Sequence, residues 1–551
     1  MKRTWADFEG TYEALATRVL TPENVTTWLH DWSELEKDLQ EYVTGLRRSS
    51  DEDTRNEAAK DALESFFRDV MPSAEIAGQR LKERLLGLEG YEPEPEHREF
   101  IRRFRNEADL FIEANAPLLA EEQALGNEYN VLMGSITVEL DGQKMTLPEA
   151  EKRLLEPDRA LRERAWRAIH EARSSVADDL DALFIKLLSL RRRIAHNAGL
   201  PDFRAFAWRR WNRFDYTPED GLTFQASVES EVVPLMSELN GERQRNLGVA
   251  SLRPWDLSVD PEARPPLKPF EAVQELEDGT ERIFERLDPD LAGQFRLMRQ
   301  GWLELENREG KVPGLGYQAD FPKSKRPYIY MSATGTHSDV NTLLHEAGHA
   351  FHSLASMTNN NLVWNVFSGV EFAEVASQTM EVLTLPYLNR AEGGFYDEAD
   401  SARAKHEQLE RILFLFPTIA QADAFQHWLY TEAPEDVSAA DLDAKWSELG
   451  ARFFPDIDWD ELEDSRGKGW HFFHIFAVPF YIIEYSLAWL GAIQIWRNSM
   501  DNPKEALTKY RAALAFGGTK SLPELFETAG ATFAFDRETV GELLRFTYAQ
   551  R

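Results

Sequence analysis

Three histidines and one glutamate lie within eight positions of the segment NTLLHEAGHAFHS, residues 341–353. His345 and His349 are four positions apart, so on a helix their rings lie on one face and can bind the same metal ion. Glu346 lies between them, where its carboxylate can act as general base toward a water that the ion activates. A solvated helix face is the alternative, but the apolar residues on either side favour a cavity wall. This HExxH pattern predicts a zinc site.

The third metal ligand must come from elsewhere, because a catalytic zinc ion usually has three protein ligands and one open position for water. The downstream segment SGVEFAEVASQTMEVL reads as a second apolar helix and offers Glu371, Glu374 and Glu381. Glu374 and Glu381 share a helical face, but a stripe of carboxylates on the protein surface would have the same spacing. Spacing alone therefore leaves the choice among the three glutamates open.

A late aromatic segment, HFFHIFAVPFYIIEY, could complete the chemistry of amide hydrolysis. His474, Tyr481 and Tyr485 are separated by seven and four positions, which predicts that they lie along one side of a helix that Pro479 bends. Their N–H and O–H groups could stabilise the oxyanion that forms when water attacks an amide. Packing in the core is the alternative, since aromatic residues at helical spacing are common there.

The elements that must position these residues are mainly helices. Helical periodicity covers the first 130 residues and returns after a β-hairpin near residues 135–147, where Asp141 and Gly142 suit a two-residue turn. A β-rich run at Tyr328–Met331 predicts a small sheet beside the HExxH helix, within a glycine-containing stretch that begins near residue 310. We expect a mainly α fold with an N-terminal helical lobe at residues 1–195 and a catalytic helical domain at residues 196–551.

Composition excludes several classes of protein. The chain has no cysteine, so a metal site must use histidine and carboxylate ligands. Its 62 basic and 95 acidic residues give a formal charge of −33, which argues against nucleic acid or an anionic membrane as a partner. The segment at residues 472–496 is long and apolar, but it contains histidine, proline, glutamate and glutamine, so we predict a buried helix there and no membrane span. The N-terminus lacks the apolar core of a signal peptide, and we expect a cytoplasmic protein.

Taken together, the segments HEAGHAFH and EFAEVASQTME resemble the thimet oligopeptidase and oligoendopeptidase F family of zinc peptidases, and are most similar to its bacterial oligoendopeptidase branch. The segments RFDYTPED, RPWDL, LENREGKVPGLGY and HIFAVPFYIIEY resemble family segments in the same order, so the likeness extends over most of the chain. This chain has alanine and valine where many relatives have Ala-Pro. The difference does not affect the glutamate that the family uses as a metal ligand.

The resemblance implies a zincin-type endopeptidase that hydrolyses short unfolded peptides in a deep channel between two helical lobes. It implies one zinc ion per chain, with His345, His349 and Glu374 as ligands and Glu346 as general base. It also implies that His474 and Tyr485 stabilise the oxyanion; Tyr481 could exchange roles with Tyr485, and His471 could replace His474. Helical phase suggests that Glu381 orients a ligand histidine.

The resemblance also implies a surface that binds the substrate main chain, and it leaves other functions open. The run RPYIYMSATGT should present a strand edge to the substrate main chain, with Gly335 allowing close approach. The alternatives are a related zinc carboxypeptidase or peptidyl-dipeptidase, and a non-catalytic helical protein that only binds peptides. The sequence leaves monomer and homodimer equally open.

Overall fold

The computed structural model of the chain describes residues 2–311 and 316–551. The predicted mainly α architecture is confirmed, and short 3₁₀ turns join many of the helices. In chain order the helices are α1 Ala6–Thr17, α2 Val25–Glu52, α3 Glu57–Asp69, α4 Met71–Leu86, α5 Arg98–Leu110, α6 Ala116–Ser135, α7 Leu147–Glu151, α8 Arg159–Ser174, α9 Ala177–Asn197, α10 Phe203–Arg210, α11 Pro218–Ser227, α12 Val233–Leu247, α13 Val273–Leu287, α14 Pro289–Met298, α15 His337–Asn359, α16 Val370–Leu383, α17 Glu398–Thr431, α18 Ala439–Phe453, α19 Glu463–Gly467, α20 Phe473–Phe476, α21 Ile483–Asp501, α22 Pro503–Phe516, α23 Leu522–Ala529 and α24 Arg537–Ala549. The strands are β1 Thr137–Leu140, β2 Gln143–Thr146, β3 Leu303–Glu306, β4 Tyr317–Phe321 and β5 Arg326–Ala333.

The chain forms two compact units, each assembled from three separate segments. The first unit comprises Met1–Asp109, Lys268–Lys405 and Ala488–Phe533, and the second comprises Leu110–Leu267, His406–Leu487 and Ala534–Arg551. The boundary that the sequence predicts between residues 195 and 196 lies inside the second unit. The division into an N-terminal lobe and a catalytic domain therefore stays a prediction.

Long-range packing explains why the N-terminal helices belong to the same unit as the HExxH helix. Tyr317 donates a hydrogen bond to the Asp51 carboxylate over 2.7 Å, and Tyr330 donates to the Asp51 backbone carbonyl over 2.9 Å. Helix α2 thus packs against the sheet formed by β3, β4 and β5. An aromatic core that includes Trp28 and Trp32 lies within the same unit.

The hairpin in the second unit forms where the sequence predicts it. Strands β1 and β2 pair antiparallel, and Asp141 and Gly142 connect them with φ angles of 51° and 79°. Both angles are positive, as a tight two-residue hairpin turn requires, and these two residue types adopt such angles at low energetic cost.

The small sheet has three strands in the order β3-β5-β4, with β3 parallel and β4 antiparallel to β5. The expectation that the run RPYIYMSATGT forms an exposed strand edge is wrong at Ile329 and Tyr330, where β5 pairs with β3 on one side and with β4 on the other. For the residues after Tyr330 it stays a prediction. The edge strands are β3, which the sequence analysis missed, and β4. Gly335 lies beyond β5 with a φ of 87°, in the turn before α15. Residues 312–315 of the predicted glycine-containing stretch lie outside the described residues.

Helix α15 carries the HExxH motif and begins with a capping box. The Thr336 hydroxyl accepts a hydrogen bond from the backbone N–H of Asp339, and the Asp339 carboxylate accepts from the backbone N–H of Thr336 over 2.7 Å. These bonds satisfy N–H groups that the first turn of a helix leaves without partners. The start of the helix, and with it the rotation of its histidine face, is thereby fixed.

The apolar segment at residues 472–496 forms two helices, where the sequence predicts one bent helix. Helix α20 ends at Phe476, a turn follows in which Phe480 has a φ of 65°, and α21 begins at Ile483. Over the part of the chain that the structure describes, no helix is long and apolar enough to cross a membrane.

Candidate metal centre

The site is built where α15 crosses α16. Gly348, in the middle of the HExxH motif, faces the backbone of α16 so closely that a Cβ atom added there would lie 2.5 Å from the Ser377 Cα and 2.7 Å from the Ala376 carbonyl oxygen. Tyr510 of α22 donates a hydrogen bond to that same carbonyl over 2.8 Å. Only glycine permits this approach of the two helices, and the approach brings the glutamates of α16 to the histidines of α15.

Three donor atoms converge at the crossing. The Oε2 atom of Glu374 lies 3.3 Å from His345 Nε2 and 3.7 Å from His349 Nε2. All three donor atoms lie within 4.8 Å of one another. Tetrahedral zinc with ligand bonds of about 2.0–2.2 Å holds its donors roughly 3.3–3.6 Å apart. The set therefore has the chemistry and the spacing that a zinc ion needs.

The remaining polar atoms of these ligands have partners of their own. His345 Nδ1 donates to Glu381 Oε1 over 2.8 Å, and the backbone of Ala373 lies close enough to the His349 ring to raise its pKa against the larger effect of burial. The Ser377 hydroxyl donates to Glu374 Oε2 over 3.0 Å. Such partners fix the tautomer and orientation of ligand histidines, so the Nε2 atoms of both rings are presented to the carboxylate.

Burial and the hydrogen bonds described above have opposite effects on the pKa values of the three donor residues. Burial raises the pKa of a carboxyl group, but the neighbouring histidines and Ser377 outweigh burial and lower the pKa of Glu374 to about 2. Burial lowers the pKa of His349 to about 4. Burial acts in the same direction on His345, yet hydrogen bonds to Glu374 and Glu381 raise the pKa of its ring well above the ordinary value. The two carboxylates thus make the surroundings of His345 favourable for positive charge, which is the electrostatic environment that a divalent cation needs.

Glu346 has a different environment from the three ligands. It is buried, and burial raises the pKa of its carboxyl to about 7. The backbone N–H of Gln318 in β4 lies close to this carboxylate and opposes the effect of burial on its pKa. A carboxylate beside the donor set, with its proton affinity near neutrality, has the properties of a general base.

The structure distinguishes the three glutamates that sequence spacing leaves open. Glu374 faces both imidazoles, and Glu381 contacts the far nitrogen of His345. Glu371 lies in the first turn of α16 near Gly369 and is not a member of the donor set. A second group of possible donors among the described residues, Glu94, Glu96 and His97, has both of its carboxylates exposed.

In the second unit, the predicted aromatic group comes together, although not along one helix. The ring centres of His474 and Tyr485 are 5.7 Å apart, those of His474 and Tyr481 6.0 Å, and those of the two tyrosines 5.4 Å. Burial lowers the pKa of His474 to about 4, so its ring is neutral near pH 7. His471 Nε2 instead forms a hydrogen bond of 2.8 Å with the Asp181 carboxylate.

Sequence reasoning predicted the contact of Glu381 with a histidine but missed the other residues that support the proposed ligands. Ala373 acts through its backbone, which no side-chain pattern can indicate, and Ser377 lies one turn after Glu374 in a segment where its partner was unknown. Gly348 did leave a signal, because glycine inside a strong helical pattern often marks close packing. Glu381 lies seven positions after Glu374, and this helical spacing indicated that it could orient a histidine.

Comparisons with known proteins add the family. Peptidase family M3 matches residues 154–542. An oligoendopeptidase F homolog from Borreliella burgdorferi is 26% identical over 304 residues, which cover 53% of this chain and 48% of the relative. Oligopeptidase PepF from Bacillus subtilis is 22% identical over 320 residues, which cover 57% of this chain and 46% of the relative. The chain thus matches about half the length of these curated relatives.

Solved structures give the same fold along the whole chain. The structure described as PZ peptidase A with inhibitor 2 has a TM-score of 0.91 at 24% identity and covers 100% of this chain and 97% of its own. Oligoendopeptidase F from Enterococcus faecium has a TM-score of 0.66 at 15% identity and covers 99% of this chain and 96% of its own. The resemblance to the thimet oligopeptidase and oligoendopeptidase F family is confirmed, and the chain belongs to peptidase family M3.

Proposed function

We propose that the protein is a zinc-dependent endopeptidase that hydrolyses internal bonds of short, unfolded peptides. The observation that carries the proposal is the convergence of His345, His349 and Glu374 on one point, with Glu346 beside them. Membership of peptidase family M3, whose members are in general zinc-dependent, supports it. When bound, a zinc ion would supply Lewis-acid chemistry that polarises the scissile carbonyl and favours ionisation of the attacking water.

In this proposal, Glu346 accepts a proton from the attacking water and later gives it to the amine that leaves. A general base works best when its pKa lies near the working pH, and burial raises the pKa of Glu346 to about 7. His345, His349 and Glu374 each present one donor atom, and Glu381 holds His345 in the tautomer that exposes Nε2. One ion per chain is the number that this donor set can hold.

We propose that the aromatic group of the second unit, His474, Tyr481 and Tyr485, stabilises the oxyanion. A neutral imidazole of His474 and the hydroxyls of Tyr485 and Tyr481 are hydrogen-bond donors that could face a developing negative charge. The mutual proximity of the three rings and the family resemblance support this assignment, with Tyr485 as the principal donor. The engagement of His471 with Asp181 makes His474 the better candidate of the two histidines.

The test is metal analysis of the purified protein combined with mass spectrometry of the products from a peptide blocked at both ends. We expect one zinc per chain and internal cleavage that a chelator stops and added zinc restores. Glu346→Gln should retain zinc and lose turnover. Protein without stoichiometric zinc, or cleavage that a chelator does not change, would overturn the proposal in favour of a non-catalytic peptide-binding protein.

The same assay separates the other peptidase reactions. A carboxypeptidase or peptidyl-dipeptidase must recognise the free C-terminal carboxylate of its substrate, so blocking that end would abolish its activity, whereas an endopeptidase would continue. A series of peptides of increasing length, ending with a folded protein, tests the expected channel. We expect turnover to fall sharply with length, and rapid digestion of the folded protein would exclude size selection. Cytoplasmic location stays a prediction, as does the choice between monomer and homodimer.

A further inference from the structure

The edge strand β4 runs alongside the HExxH helix at the position of the proposed base. A Cβ atom added to Gly316, just before β4, would lie 3.0 Å from the Thr342 Cγ2 atom and 3.7 Å from Glu346 Oε1. Two residues later, the backbone N–H of Gln318 lies close to the Glu346 carboxylate. This proximity is a contact between strand β4 and helix α15.

A group of three polar side chains joins the same strand to the same helix. The Gln318 amide donates to Asp320 Oδ1 over 2.7 Å, and the Ser353 hydroxyl lies within 3.4 Å of the Gln318 amide oxygen. Ser353 also lies close enough to the Asp320 carboxyl to lower its pKa. Each member therefore contacts the other two, and Ser353 alone belongs to the helix.

The placement of the three residues follows from the periods of strand and helix. Gln318 and Asp320 are two positions apart, so their side chains lie on one face of β4. Ser353 is seven positions after Glu346, which is two helical turns, so both lie on the face of α15 that meets β4. Burial raises the pKa of Asp320, and the contacts with Ser353 and Gln318 oppose that rise.

We propose that Gln318, Asp320 and Ser353 form a polar clasp that fixes β4 on α15 and thereby holds the Gln318 N–H on the Glu346 carboxylate. The inference rests on the proposed function, in which Glu346 is the general base. The three side chains are positioning residues and act through Glu346. A displacement of about 1 Å at a reacting group can reduce turnover by roughly a hundredfold, so a strand that is free to shift would impair catalysis without removing a ligand.

The experiment measures kcat and KM on the blocked peptide, zinc content and thermal unfolding for Ser353→Ala. We expect kcat to fall by about tenfold or more, KM to change by less than about threefold, and one zinc per chain to remain. Ser356→Ala is the matched control, because Ser356 is also a buried serine of α15 and its hydroxyl donates within the helix, to the Ser353 carbonyl. Asp320→Asn, which keeps size and hydrogen-bonding capacity, should retain more activity than Asp320→Ala.

A double substitution tests whether the effect passes through Glu346. In a Glu346→Asp background the shortened carboxylate no longer reaches the Gln318 N–H in the same way, so Ser353→Ala should cause a much smaller further loss than in the wild type. An undiminished further loss, loss of zinc from Ser353→Ala, or unchanged kcat would each overturn the clasp. Failure of the proposed function is distinguishable, because the wild-type protein itself would then show no zinc-dependent cleavage.

Discussion

Replacing Gly348 by alanine tests whether the helix crossing assembles the metal centre. The added Cβ would lie 2.5 Å from the Ser377 Cα and 2.7 Å from the Ala376 carbonyl oxygen. Ordinary contacts between such atoms are about 3.5–4.0 Å, so the backbones of α15 and α16 must separate by roughly 1 Å. Neither obstacle is a flexible side chain that could move aside. The separation would move Glu374 away from His345 and His349, whose Nε2 atoms now lie 3.3 and 3.7 Å from its Oε2.

The size of the effect follows from two terms. Overpacking of a close contact costs about 1–3 kcal/mol of unfolding free energy, and the higher helix propensity of alanine returns up to about 1 kcal/mol. A binding constellation tolerates a displacement of only about 0.5 Å, so an added 1 Å to one ligand should weaken zinc binding more than it weakens the fold. We expect an affinity for zinc reduced by about 10- to 100-fold, the range typical of changes that disturb ligand positioning.

The assay is competition for zinc with a chromophoric chelator, with thermal unfolding of the zinc-free protein measured in parallel. Gly293→Ala is the control, because Gly293 lies in α14 and a Cβ there would have no neighbour within 4 Å. That variant should bind zinc like the wild type and unfold at the same or a slightly higher temperature. Wild-type zinc affinity in Gly348→Ala would refute the reasoning, since it would mean that the crossing can widen without affecting the donor set.

Three further substitutions probe other parts of the site. Glu381→Gln should weaken zinc binding by about tenfold or more in the same competition assay, because it removes the carboxylate that orients His345; unaltered affinity would mean that the helix alone orients the ring. Tyr485→Phe should lower kcat by about 10- to 1000-fold with little change in KM and full zinc content, and an unchanged kcat would exclude Tyr485 as an oxyanion donor. Burial lowers the pKa of His474 to about 4, below its unfolded value of about 6.5, so the unfolded chain binds the extra proton first and stability falls as pH falls through this window. Allowing for partial exposure of His474, we expect the free energy of unfolding, measured by urea denaturation, to fall by about 1 kcal/mol between pH 7 and pH 5. The fall should be smaller in His474→Phe, and an equal fall in that variant would assign the effect to other groups.

Features that depend on neighbouring residues could be predicted from the sequence, and features that depend on distant ones could not. The Asp141-Gly142 turn and the HExxH helix are encoded within a few positions. The central place of β5 depends on β3, whose sequence LELE is short and carries charges that resemble a helix surface. The interruption between α20 and α21 depends on Phe480 adopting a positive φ, which is uncommon for a bulky residue and is imposed by its surroundings.

The ligand glutamate is the clearest case of a residue that local pattern could narrow but not select. Glu374 and Glu381 are seven positions apart, which places them on one face of α16 and separates them by about 10 Å along its axis. The two nitrogens of an imidazole point in nearly opposite directions, so two carboxylates at this spacing can bind both sides of one ring. His345 is held in this way, with Nε2 3.3 Å from Glu374 and Nδ1 2.8 Å from Glu381. The spacing therefore has a physical reason that becomes visible only when α15 is placed against α16: one helix supplies both the proposed metal ligand and the group that would orient a second one.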